Sequence, residues 1–141
     1  MSNDLANPKP NSMKRAVACL WISAFLVLVL CAASSLGVGD LPSGPLALIT
    51  NLVTFALLAW VAIKLGAGRN WARWVFAILY VFGSLAFAVS VVFLPEAFLA
   101  LSMAAKTSSV VQFFLQTVAL VLMFTHTSRN WFRAKKVASA L

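Results

Sequence analysis

Four apolar runs, each about as long as a helix that crosses a bilayer, dominate this chain of 141 residues. A hydrocarbon core takes about 20 helical residues to span. The runs cover about 16–36, 45–65, 72–94 and 107–127. Backbone N–H and C=O groups in lipid must be satisfied within the segment, so each run predicts a helix. A β-barrel needs alternating polarity over about ten residues, and none of the runs shows it. The expected fold is therefore all-α: a four-helix transmembrane bundle, one integral membrane domain over residues 1–141. A disordered cytoplasmic N-terminus is expected over 1–13 and a cytoplasmic tail over 134–141. Composition points the same way, with 62% hydrophobic and 10% charged residues. A small soluble domain leaves too much of its area exposed to hide so much apolar surface. A soluble enzyme, a disordered chain and a disulfide-stapled module are excluded.

Breaker residues separate the runs. The connection Gly37 to Pro45 is rich in Gly and Pro, and Pro45 suits the first position of the second helix. Gly66 and Gly68 end that helix, and Pro95 ends the third. Pro95 to Thr127 is longer than one span needs. Either Pro95 to about Ala105 forms a short interfacial helix, with Phe98, Leu99 and Leu101 dipping inward, or the fourth helix is one long, tilted rod.

Basic residues set the orientation. Lys9, Lys14, Arg15, Lys64, Arg69, Arg73, Arg129, Arg133, Lys135 and Lys136 fall on one side, and Lys106 alone on the other, with Asp40 and Glu96. Lys and Arg stay on the cytoplasmic side, so both termini are expected there. The competing reading is a signal peptide: Lys14-Arg15, an apolar stretch, then Ala32-Ala33-Ser34-Ser35, or a lipoprotein site at Cys31. That stretch exceeds the usual signal length of about 7–15 residues. The net charge of +8 is spread over span edges and gathers on no face that would suit nucleic acid, so no nucleic-acid partner is expected.

One motif repeats. Arg69-Asn70-Trp71-Ala72-Arg73 and Arg129-Asn130-Trp131-Phe132-Arg133 match at four of five positions, sixty residues apart. The repeat predicts two tandem helical hairpins related by an axis along the membrane normal. Tryptophan settles at the headgroup level, and arginines four apart share a helix face that reaches lipid phosphates. Arg69, Trp71, Arg73, Arg129, Trp131 and Arg133 are thus expected to anchor on anionic lipids or to dock a partner. The basic connection Gly68-Arg69-Asn70-Trp71-Ala72-Arg73 and the C-terminal Leu122-Met123-Phe124 … Ser128-Arg129-Asn130-Trp131-Phe132-Arg133 resemble a loose group of small bacterial inner-membrane proteins. That group has four transmembrane helices and this Arg-Asn-Trp-Ala-Arg cytoplasmic motif. Its members often carry Pro where His126 or Thr127 stands here. The resemblance implies topology and a bacterial inner membrane, and carries no activity with it.

Inside the spans lies no Asp or Glu. Proton-coupled transport usually needs such a carboxylate, and the small multidrug exporters, also of four spans, carry a membrane-embedded Glu. Ser109, Gln112, Gln116, Ala119, Met123 and His126 follow at intervals of 3, 4, 3, 4 and 3, one seam of a helix. Asn51, Thr54, Ser90, Gln112 and Gln116 are expected to form an intramembrane polar layer, bonded across helices as packing glue or lining a polar path. Small residues Ala77, Ser84 and Ala88, with Gly83, suggest the inner face of the third helix, and the Tyr80 hydroxyl there needs a partner. Cys19 and Cys31, about 18 Å apart on one helix, cannot pair with each other. His126 alone makes no metal site, which needs three or four ligands. No catalytic set, metal or cofactor is expected. The expected role is a non-catalytic structural or interaction subunit, with a membrane-protein partner or a homo-oligomer. The alternative is an oligomeric channel or facilitator for a small polar solute.

Overall fold

The computed structural model describes residues 9–37, 44–99 and 101–138, apart from the side chains of 97 and 133–138. These residues form six helices and no strand: α1 (Asn11–Ser35), α2 (Pro45–Gly66), α3 (Asn70–Phe93), α4 (Pro95–Leu99), α5 (Met103–Met123) and α6 (His126–Ala138). Four of them, α1, α2, α3 and α5, are long and apolar enough to cross a membrane.

Each boundary has a local cause. The Pro10 carbonyl accepts from the N–H groups of Met13 and Lys14, both at 3.0 Å, and so opens α1. α1 begins within the stretch expected to be a disordered tail, and Met13 is fully buried; residues 1–8 lie outside the described residues. Gly37, at φ 65°, follows its last turn. Of the connection that leads on, residues 38–43, including Asp40, are likewise outside the described residues. Pro45 opens α2 at the first helical position, where its missing N–H costs nothing. At the other end the Arg69 N–H donates to the Lys64 carbonyl at 3.1 Å and the Gly68 N–H to Leu65 at 2.9 Å. That pair is a Schellman motif, and Gly68 at φ 78° supplies its left-handed residue. Arg69 then caps α3, accepting from the Ala72 N–H at 3.1 Å.

The region after Pro95 contains a separate short helix, but a shorter one than the sequence suggests. α4 ends at Leu99, and the Ser102 hydroxyl accepts from the Ala105 N–H at 3.2 Å to cap α5. Lys106 ties the two together, donating to the Leu99 carbonyl at 2.8 Å. Phe98 packs edge-on against Phe87 as expected, whereas Leu99 is exposed. The fourth span stops at Met123 and not near 127. The hydroxyls of Thr125 and Ser128 both donate to the Leu122 carbonyl at 2.9 Å, which breaks the rod at Phe124-Thr125 and starts α6. The expected tail from 134 therefore begins inside a helix, and 139–141 lie outside the described residues.

α1 is the central helix and packs extensively on both α2 and α5. Its buried positions Met13, Ala16, Leu20, Ser23, Ala24, Val27, Cys31 and Ser34 keep a heptad-like spacing. Lipid tails are as apolar as leucine, so close packing rather than escape from water holds such helices together. Ala16, Ala24, Ala62, Ala72, Ala119 and Ser23, all at most 1% exposed, let the backbones approach. The hairpin α1–α2 is tightly packed, whereas α3 touches α5 only lightly, so the two hairpins are not packed alike. α3 turns Ala72 and Phe76 inward. Ala77 is half-buried and Ser84 bonds back to its own helix at Val81. Gly83 and Ala88 are exposed, which corrects the expected small-residue face.

The core is lopsided. The buried residues of α2 (Leu58, Val61, Ala62, Leu65), α3 (Ala72, Phe76) and α5 (Ala119, Met123) all lie toward the end that carries Lys64, Arg69 and Arg73. Trp131 and Phe132 of α6 complete that core. At the opposite end the helices leave space between them.

Candidate functional site

At the basic end the two copies of the motif do different things. Arg69 and Arg129 are exposed. Trp71, 40% exposed, lies 5.2 Å from Trp60 between ring centroids, as suits two rings at a headgroup boundary. Arg73 does not share an open face with Arg69. Its guanidinium lies over three rings: Phe132 at 5.3 Å, Phe124 at 5.5 Å and Trp74 at 5.9 Å. Guanidinium attraction to a ring face contributes about 0.5–2 kcal/mol, more when desolvated. Arg73 thus ties α3 to the α5–α6 break. Trp131 is 6% exposed and packs on Phe132 at 5.0 Å, so it is a core residue and not a headgroup anchor. The side chain of Arg133 lies outside the described residues.

α6 is held from both sides. The Ser128 hydroxyl sits 3.0 Å from that of Ser12 on α1 and 3.0 Å from that of Thr125. His126 is exposed, and the Asn130 amide donates to its Nδ1 at 3.4 Å. Among the described residues no group of His, Cys, Asp or Glu could hold a metal ion. Cys19 is half-buried and Cys31 buried, both as free thiols.

The intramembrane polar residues divide into three kinds. Thr54 and Ser90 donate to Thr50 and Ala86 carbonyls of their own helices, at 2.8 and 2.9 Å, and bind nothing across the bundle. Hydroxyls do this readily in helices, which removes the need for an outside partner. Two pairs do cross between helices. The Gln116 amide donates to Ser23 on α1 at 3.4 Å, and the Tyr80 hydroxyl meets Thr117 on α5 at 2.7 Å. Thr117 passes its own proton to the Phe113 carbonyl, so the Tyr80 hydroxyl is the donor to Thr117. Replacing Gln116 with Leu is expected to cost about 0.6–2 kcal/mol in detergent unfolding, the range for interhelical bonds in lipid.

Asn51 and Gln112 belong to the third kind. They line one cleft of about 330 Å³ between α1, α2 and α5, at the end opposite the arginines. Ser34, Thr50, Ser108 and Ser109 share its wall. A second space of about 240 Å³ lies beyond α5, lined by Tyr80, Gln112 and Gln116, so the glutamine seam faces protein on both sides. Sequence spacing located the seam from Ser109 to Met123, whereas His126, expected at its end, lies beyond the helix break on α6 and is exposed. The spacing missed Ser23 and Thr117, because one polar residue in an apolar run carries no signal about which helix it will meet.

Four spanning helices, a core packed by small residues and a basic, aromatic end define a multi-pass integral membrane protein built as a helical bundle. Set against known proteins, the chain matches no family model, no curated protein and no solved structure.

Proposed function

We propose that this chain is a non-catalytic interaction subunit of a bacterial inner membrane, with both termini in the cytoplasm. Its basic end rests on anionic headgroups and offers a docking surface to a second membrane protein. The observation that carries this reading is the division of labour at that end. Arg73, Trp131 and Phe132 are spent on closing the bundle, while Arg69 and Arg129 stay exposed outside a closed, aromatic floor. Exposed arginines on a rigid floor bind phosphates or carboxylates bidentately. The positive-inside rule and the resemblance to small bacterial inner-membrane proteins support the orientation. The lopsided core favours binding over solute passage through a single chain, because Leu20, Leu58, Val61, Leu65, Phe76 and Met123 fill the path beneath the polar cleft.

The test joins Arg69→Gln with Arg129→Gln. The double variant is expected to insert with unchanged orientation, read by reporter fusions at residue 141, and to keep its thermal stability. The stoichiometric membrane-protein partner that co-purifies with the wild type from native membranes should be lost. A wild type that purifies alone, as a homo-oligomer around a hydrated axis, would sink the proposal in favour of a channel.

A further inference from the structure

We propose that the cleft between α1, α2 and α5 binds a neutral, polyhydroxylated group, as a free polyol or as the glycerol headgroup of a lipid. The inference does not depend on the docking role of the opposite end.

Three side chains on this wall, Ser34, Asn51 and Gln112, have no hydrogen-bond partner among the described residues. At 1.5 Å rise per residue, Asn51 lies about 9 Å beyond the first residue of α2 and Gln112 about 13 Å beyond that of α5. An amide at such depth is costly unless something in the cleft answers it. Charge decides the class first. No Lys, Arg, Asp or Glu is among the described lining residues, so the described wall offers a cation or an anion no counter-charge for the hydration it would lose.

Hydrogen-bonding capacity decides next. Thr50 has given its proton to the Leu46 carbonyl, and Ser108 and Ser109 have given theirs to Ala105. These oxygens present only lone pairs to the cleft. The two amides add two N–H donors and a carbonyl acceptor each, and the Ser34 hydroxyl adds one donor and one acceptor oxygen. Acceptors therefore outnumber donors, and a ligand rich in O–H groups supplies what is missing. A vicinal diol also sets a donor beside an acceptor, as a primary amide does. Val27, Leu30, Ala47, Leu101 and Ala105 make the rest of the wall apolar, which suits the C–H face of a polyol. The volume of about 330 Å³ compares with about 30 Å³ for each water in the liquid, so a polyol of about three to six carbons fits.

The experiment uses the full chain in phosphatidylcholine nanodiscs and saturation-transfer NMR. Glycerol should take up saturation from the protein, and 1-propanol, with the same carbons and one hydroxyl, should not. Asn51→Leu and Gln112→Leu should each weaken glycerol binding about tenfold, the size of one lost buried hydrogen bond. Leucine is favourable at this depth, so both variants retain the bundle, which circular dichroism checks. Gln116→Leu, outside this wall, should leave glycerol binding unchanged. Native mass spectrometry separates the two sources. Retention of added phosphatidylglycerol over phosphatidic acid, lost in Gln112→Leu, assigns the lipid headgroup. Glycerol binding without that lipid preference assigns a free polyol. If neither glycerol nor phosphatidylglycerol binds the wild type better than the folded Asn51→Leu and Gln112→Leu variants, the cleft holds only water and the proposal falls.

Discussion

Phe76→Ala should be among the most damaging single changes in the bundle, at about 2–3 kcal/mol. In a water-soluble core the same truncation costs roughly 3–5 kcal/mol. Part of that figure is transfer from water, and the transfer part vanishes when the alternative environment is lipid. What remains is the cavity left between α2, α3 and α5, because Phe76 is 2% exposed and a member of the central cluster. Phe82, on the same helix and 68% exposed, is the control. Phe82→Ala should leave stability unchanged. Unfolding in mixed micelles with increasing SDS reads both, and equal midpoints for the two variants would mean that α3 is not packed as described.

Arg73→Gln should cost about 2 kcal/mol, while Arg69→Gln should leave stability unchanged. The motif treats the two arginines alike; their surroundings do not. Arg73 lies against three ring faces contributed by α3, the α5–α6 break and α6. Glutamine fills part of the space but carries no charge for the rings to attract. A double-mutant cycle with Phe132→Leu isolates the pairwise part, expected at about 0.5–1 kcal/mol. Loss of Arg73 should also free α6, seen as faster proteolysis near Arg129. Equal losses for Arg69→Gln and Arg73→Gln would show that both act through the bilayer surface alone.

These contrasts mark the limit of the repeated motif. Trp71 and Trp131 occupy the same motif position, yet one is 40% exposed and the other 6%. Ala72 and Phe132 also correspond, and both are buried, but only the larger residue closes over Arg73. A repeat in sequence fixes where an arginine–tryptophan pair stands along the chain. It does not fix what the rest of the chain brings against it. Likewise, Thr54 and Ser90 read as cross-helix groups by depth, but their hydroxyls find carbonyls one turn back. Glutamine and tyrosine side chains are too long for that local solution, which is why Gln116 and Tyr80 cross to neighbours.

The sequence alone determined the number of spans, their helical state and most of their ends. Those follow from local rules: length against bilayer thickness, backbone bonds closed within a segment, and Pro and Gly where a helix must start or stop. Tertiary structure decided which helix is central, which end is tight and which is open, and where Arg73, Trp131, Asn51 and Gln112 sit. Lipid removes the contrast between inside and outside that makes a soluble helix announce its buried face. Contacts between nearly uniform apolar surfaces rest on shape, and shape exists only once the helices have met.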